Sequence, residues 1–117
     1  MKLQSFYIIA IFICINITLA PIIEAHNVYI DLNAPVQCRI WIEDSTTTRI
    51  AGDEYYHDCS EYSHDESIDF QNVTYWVHAK VSGSLRKEKV RGPYDGKTCF
   101  VIEGEVDNWY FSQSDCK

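Results

Sequence analysis

Beyond its first 25 residues this chain has no second long apolar run, no window with helical amphipathic spacing, no internal repeat and no low-complexity stretch. The missing second run leaves nothing else long enough to cross a membrane as a helix. The missing helical period excludes bundle and α/β layouts and leaves an all-β chain. Basic residues are scarce: Lys and Arg number 10 against 17 Asp and Glu, a net charge of −7. Discounting residues 1–25 removes Lys2 and Glu24 and leaves that charge at −7. Such a chain is repelled by phosphate backbones, which argues against general nucleic-acid binding.

What is present begins with an export signal. Met1 and Lys2 give a minimal positive start, Phe6 to Leu19 is almost wholly apolar, and small residues follow at Ala20 and Ala25. Cleavage after Ala20 would put Pro21 just past the scissile bond. Cleavage after Ala25 leaves Ile23 and Ala25 at the recognition positions and frees His26. Asn16, Thr18 and Pro21 interrupt the run and disfavour a membrane anchor. Residues 1–25 are therefore read as a signal peptide and 26–117 as one soluble, secreted domain. Cys14 leaves with the signal, and Cys38, Cys59, Cys99 and Cys116 remain. Four cysteines in a short exported domain predict two disulfides. Trp41, Trp76, Trp109 and several tyrosines supply core material, and a domain this small gains from such staples.

Alternation organises the rest. Val36, Cys38, Ile40 and Ile42 share one face of a strand; Gln37, Arg39, Trp41 and Glu43 share the other. Thr48 to Ala51 returns, ended by Gly52-Asp53. The clearest strand is Val73 to Val81, with Val73, Tyr75, Val77, Ala79 and Val81 on one face and Thr74, Trp76, His78 and Lys80 on the other. Thr98 to Glu103 and Asn108 to Ser112 form two more strands across a turn at 104–107. Val28 to Leu32 adds an N-terminal strand and Ser67 to Phe70 a short edge strand. Five or six short strands with turn signals between them predict a β-sandwich or small barrel.

Two charged stretches break the pattern. Asp53 to Asp69 holds seven acidic residues, and Leu85 to Arg91 holds the basic Arg86, Lys87, Lys89 and Arg91. They read as two solvated loops that attract each other, or the basic one as a mobile contact loop for an acidic partner. His57, Cys59 and His64 lie close together, yet their spacing matches no closed zinc pattern and Cys59 is expected in a disulfide, so no metal is assigned. A free N-terminal His26 could chelate copper, as in lytic polysaccharide monooxygenases, which need a second histidine and a larger flat domain. A ribonuclease-like site could be drawn from His78, Glu103 and Arg39, but nothing in their spacing selects them. No catalytic residue and no cofactor is assigned, and the chain is read as a non-enzyme. Asn72-Val73-Thr74 is a glycosylation sequon, or only the opening of a strand.

The order of these features resembles the MAX effectors, fungal plant-pathogen avirulence proteins and ToxB-like toxins. An export signal precedes Cys38-Arg39-Ile40-Trp41-Ile42; Cys59 follows the second strand; the strand Val73 to Val81, Cys99 and a final Cys116 complete it. The resemblance implies a six-stranded β-sandwich of two three-stranded antiparallel sheets, with ToxB-like pairing Cys38–Cys99 and Cys59–Cys116. Those long loops would stabilise by roughly 4 kcal/mol each. It also implies a monomeric virulence protein, secreted and able to enter host cytoplasm. Such a protein binds host plant proteins, including heavy-metal-associated domains of immune receptors, along exposed strand edges. The candidate contact residues are Trp41, Arg49, Tyr55, Tyr56, Trp76, Arg86 and Lys87; the alternative is that both tryptophans merely cover the sheet. A rival class, the ribonuclease-like secreted effectors, needs a helix that only Ser60 to Asn72 could supply. Cys38–Cys59 connectivity would remove the ToxB-like sandwich.

Overall fold

The computed structural model describes residues 25–117, so the signal-peptide reading of residues 1–25 falls almost wholly outside the described residues. Nine strands run in order: β1 (Ala25–Asn33), β2 (Gln37–Glu43), β3 (Arg49–Gly52), β4 (His57–Asp58), β5 (Glu66–Gln71), β6 (Tyr75–Val81), β7 (Lys89–Tyr94), β8 (Thr98–Glu105) and β9 (Asn108–Ser114). They form two sheets, one ordered β5-β1-β8-β9 and the other β3-β2-β6-β7, with β4 also pairing β2. The expectation of an all-β sandwich holds. The expected six strands in two three-stranded antiparallel sheets become nine in sheets of four and five, and β1 pairs β8 in parallel.

Two strands that the alternation does not announce, β4 and β7, come from the charged stretches. His57–Asp58 adds to the same edge of β2 as β3, through the pairs Gln37↔Asp58 and Cys38↔His57. Lys89–Tyr94 pairs β6 antiparallel. No helix forms over 60–72; β5 occupies its second half, which removes the helix the ribonuclease-like reading required.

The core lies where the two inner faces meet. On β2 the alternation buries Cys38, Ile40 and Ile42, and on β6 it buries Tyr75, Val77, Ala79 and Val81. From the other sheet come Val28, Ile30, Ile68, Phe70, Phe100, Ile102, Trp109 and Phe111. Side chains of this size contribute about 1.5–3 kcal/mol each on full burial. Ring contacts join the two sheets where Phe70 meets Tyr75 edge-on at 4.7 Å and Tyr94 meets Phe100 at 5.9 Å, and Phe100 stacks on Phe111 at 4.8 Å within its own sheet.

The disulfides overturn the ToxB-like pairing. Cys38 bonds Cys59 and Cys99 bonds Cys116. The reason is the facing of the strands. Cys38 points into the sandwich from β2, and its neighbour across the edge is the β4 segment that Cys59 follows, at a Cα separation of 5.8 Å. Cys99 alternates with the inward Phe100 and Ile102, so it lies on the outer side of the other sheet. There it sits opposite Ser114, two residues before Cys116. The loops closed span 21 and 17 residues. On the chain-entropy account each contributes about 3 kcal/mol, and because the loops do not overlap their effects are close to independent.

Both long seams of the sandwich are closed. On one side β3 lies against β5. On the other, β7 side chains reach the backbone of β9: Lys89 Nζ donates to the Trp109 carbonyl at 2.6 Å and Arg91 to the Phe111 carbonyl at 2.8 Å. The β6–β7 loop is fixed as well, since the Leu85 amide donates to the Asp107 carboxylate and Arg86 Nε to the Asp107 carbonyl. The basic stretch is thus a strand and a pinned loop bound to β9. It does not pair with the acidic stretch, which occupies the opposite seam.

Candidate functional site

The outer face of the β3-β2-β6-β7 sheet groups aromatic, acidic and imidazole side chains. The cross-strand pairs Trp41↔His78 and Glu43↔Trp76 set four chemistry-bearing side chains beside one another. Trp41 is buried: Arg39 lies over its ring at 4.3 Å, His78 stacks on it at 5.2 Å, and its Nε1 donates to Glu43 Oε2 at 2.7 Å. His78 sits between two carboxylates, with Nε2 3.3 Å from Glu43 and Nδ1 3.4 Å from Glu88. Trp41 therefore supports Glu43 and His78 and is not itself a contact residue, which corrects its place among the expected contacts.

Trp76 remains half-buried and forms the wall of a shallow depression of about 250 Å³ lined by Glu43, Asp44, Ser45, Thr47, His78 and Val90. Gly92 gives the ring its seat: a Cβ there would meet Trp76 Cδ1 at 2.8 Å and the Tyr75 carbonyl at 2.9 Å. The rim is fixed by the β2–β3 turn. Asp44 accepts from the Thr46 amide at 2.9 Å and from the Thr46 hydroxyl, bonds that hold its carboxyl below the usual range, and Thr47 takes a positive φ of 62°.

The remaining expected contacts do not join this face as one patch. Arg49 is exposed and opposite Glu43 in register, so it lies at the border of the depression. Tyr55 and Tyr56 are exposed in the β3–β4 connection, beside the acidic seam. Arg86 and Lys87 are exposed in the β6–β7 loop, where Arg86 is committed to Asp107 and Asn108. Asn72 is exposed in the β5–β6 turn, which leaves its sequon accessible. His26, on which the copper reading depended, packs into the core between Phe70 and Tyr75.

A second cluster sits at the β3–β5 seam. His57 Nε2 is 2.8 Å from Asp53 Oδ2 and 3.1 Å from Glu66 Oε1. Asp53 Oδ2 also accepts from the Ile40 amide at 2.8 Å. Glu66 is pushed up to about 9, first by burial and then by the neighbouring Asp53 carboxylate. His57, Cys59 and His64, to which the sequence assigns no metal, do not come together: Cys59 is in a disulfide and His64 is exposed apart from the cluster. The sequence reading missed Glu43, Glu88, Asp53 and Glu66. The signal for Glu66 was parity: it sits two and four residues before Ile68 and Phe70, on their inward face.

No protein-family model matches the chain, and no curated protein matches it. Solved structures show a likeness of fold. A disulfide-locked mutant of intermedilysin with human CD59 superimposes with a TM-score of 0.55 at 10% identity, over 81% of this chain and 25% of that one. The human-specific toxin intermedilysin gives 0.52 at 10% identity, over 80% and 24%. This chain thus spans about a quarter of the toxin's length. At such identity the similarity is one of sandwich architecture.

Proposed function

We propose that this chain is an exported effector that acts by binding a host protein, without catalysis, through the face around Trp76. Its disulfides, Cys38–Cys59 and Cys99–Cys116, differ from the ToxB-like cysteine frame. The observation that carries the proposal is a half-buried tryptophan seated on a rigid sheet, ringed by Glu43, Asp44 and His78 and walled by Val90. Aromatic anchors in fixed surroundings are favoured at protein interfaces. The carboxylates select a partner segment that joins an apolar or aromatic tip to basic side chains.

A face is favoured here over the β9, β3 and β4 edges. On the β9 edge the Trp109 and Phe111 carbonyls are already taken by Lys89 and Arg91. The β3 and β4 edges run for only four and two residues. Strand addition needs a run of free backbone groups, and these edges offer few.

The test is capture from host plant tissue with the disulfide-bonded protein, followed by binding measurements on the captured protein. Purified heavy-metal-associated domains are the first candidates for a direct assay. Trp76→Ala should weaken binding at least tenfold while the β-sheet circular dichroism is unchanged. Tyr62→Ala, at an exposed residue away from this face, should bind as the parent does. Equal binding by a folded Trp76→Ala protein would reject this face.

A further inference from the structure

We propose that Asp53, His57 and Glu66 form a binding site for a borderline divalent cation of the zinc class, a reading independent of the Trp76 face. The three residues come from three strands or their ends. Asp53 follows β3, His57 opens β4 and Glu66 opens β5 in the facing sheet, so an ion here would join the two sheets at their seam.

The argument is one of donors and acceptors. His57 Nδ1 lies 2.9 Å from the Asp58 carbonyl, which can only accept, so Nδ1 carries a hydrogen. In the neutral ring Nε2 then presents a lone pair, and it points at Asp53 Oδ2 at 2.8 Å and Glu66 Oε1 at 3.1 Å. Three potential ligand atoms converge here, and the proton held on Glu66 would leave as a cation binds. The other Glu66 oxygen, Oε2, is fully buried and has no hydrogen-bond partner. A positive centre satisfies this arrangement, and a histidine whose second nitrogen donates to a carbonyl is how metal-ligating imidazoles are oriented. Asp53 has the same kind of support: its Oδ2 accepts from the Ile40 amide and its own amide donates to the Ile40 carbonyl, both at 2.8 Å.

One nitrogen and two carboxylate oxygens suit zinc better than calcium or magnesium, which take oxygen ligands. Tetrahedral ligands at 2.0–2.1 Å from zinc stand about 3.3 Å apart. The observed separations of 2.8 and 3.1 Å need to open by only a few tenths of an ångström. The side chains of Asp53 and Glu66 are 16% and 15% exposed and that of His57 is 35% exposed, so the fourth position faces solvent from the His57 side. Water or a partner's side chain would complete it there.

The experiment is calorimetric titration of zinc chloride into the chelator-stripped, disulfide-intact protein, with thermal melts in parallel. Intact disulfides are verified by mass after alkylation without reduction, because Cys38 and Cys59 once reduced would bring thiolates near His57. One zinc per chain is expected, with a rise in melting temperature. Glu66→Gln and His57→Gln should each weaken binding at least tenfold. His64→Ala and Glu61→Gln, at exposed neighbours outside the cluster, should bind as the parent does. If His57→Gln fails to fold, the isosteric Glu66→Gln and Asp53→Asn carry the comparison. Absence of saturable one-to-one binding by the folded parent overturns the proposal, as would undiminished binding by folded Glu66→Gln or equal loss in His64→Ala. The first of these outcomes would assign the cluster to a proton-bridged imidazole.

Discussion

At Glu66 a carboxyl group faces the interior beside Asp53 and His57, and its pKa rises from 4.5 to about 9. The folded state therefore holds a proton that the unfolded chain has already released. Its contribution to stability is fully present below about pH 4.5 and is lost as pH rises toward 9. For the metal-free protein, urea unfolding should show stability falling by on the order of 1–3 kcal/mol between about pH 5 and 8. Glu66→Gln, read beside it, should flatten that slope and isolate it from Asp53 and His57. A parent protein that gains stability over this range would contradict the assignment. Gly104 is the other residue where one atom decides much. It sits at φ 106°, and a Cβ there would meet the Asn108 carbonyl oxygen at 2.3 Å and Trp109 Cα at 2.8 Å, both backbone. Gly104→Ala should cost at least about 2–3 kcal/mol, seen as a lower urea midpoint with an unchanged slope.

At the level of elements, the facing of strands was legible in the sequence and their pairing was not. Alternation in 36–43 and 75–81 placed Ile40, Ile42, Val77 and Val81 inward correctly. The same parity would have excluded a Cys38–Cys99 bond: Cys38 is in phase with Ile40, whereas Cys99 is out of phase with Phe100 and Ile102. β4 and β7 were hidden because short edge strands bearing His57, Asp58, Lys89 and Arg91 carry no apolar alternation; tertiary contacts make them strands. Trp76 was readable as an outward aromatic. The Asp53–His57–Glu66 cluster was not, since it depends on β3 crossing β5. Non-reducing peptide mapping should recover Cys38–Cys59 and Cys99–Cys116 and no long-range pair. The β7–β9 seam makes a separate prediction. Lys89→Met and Arg91→Met each leave a β9 carbonyl without its donor and should cost about 1–2 kcal/mol in urea unfolding. The double variant should also lose hydrogen-exchange protection selectively in β9; uniform loss across both sheets would show that the seam is not a local closure.

For the molecule as a whole, charge and shape would act on different steps of the proposed host binding. A net charge of −7 and an acidic rim of Glu43 and Asp44 would attract a basic partner over a distance set by the salt. The screening length is about 10 Å at 0.1 M salt and about 3 Å at 1 M, so this attraction governs encounter and fades with ionic strength. On that proposal the Trp76 ring would act only after contact, because its gain would come from burial against a seated partner. The two effects should therefore separate kinetically. Raising salt from about 50 mM to 500 mM should slow association several-fold and leave dissociation nearly unchanged. Trp76→Ala should do the reverse, speeding dissociation about tenfold or more with little effect on association. Surface plasmon resonance with the captured host protein measures both rates. If Trp76→Ala acted mainly on association, the ring would serve in guiding encounter and not as the seat of the complex. Salt that acted mainly on dissociation would move the binding energy from the tryptophan to its acidic rim.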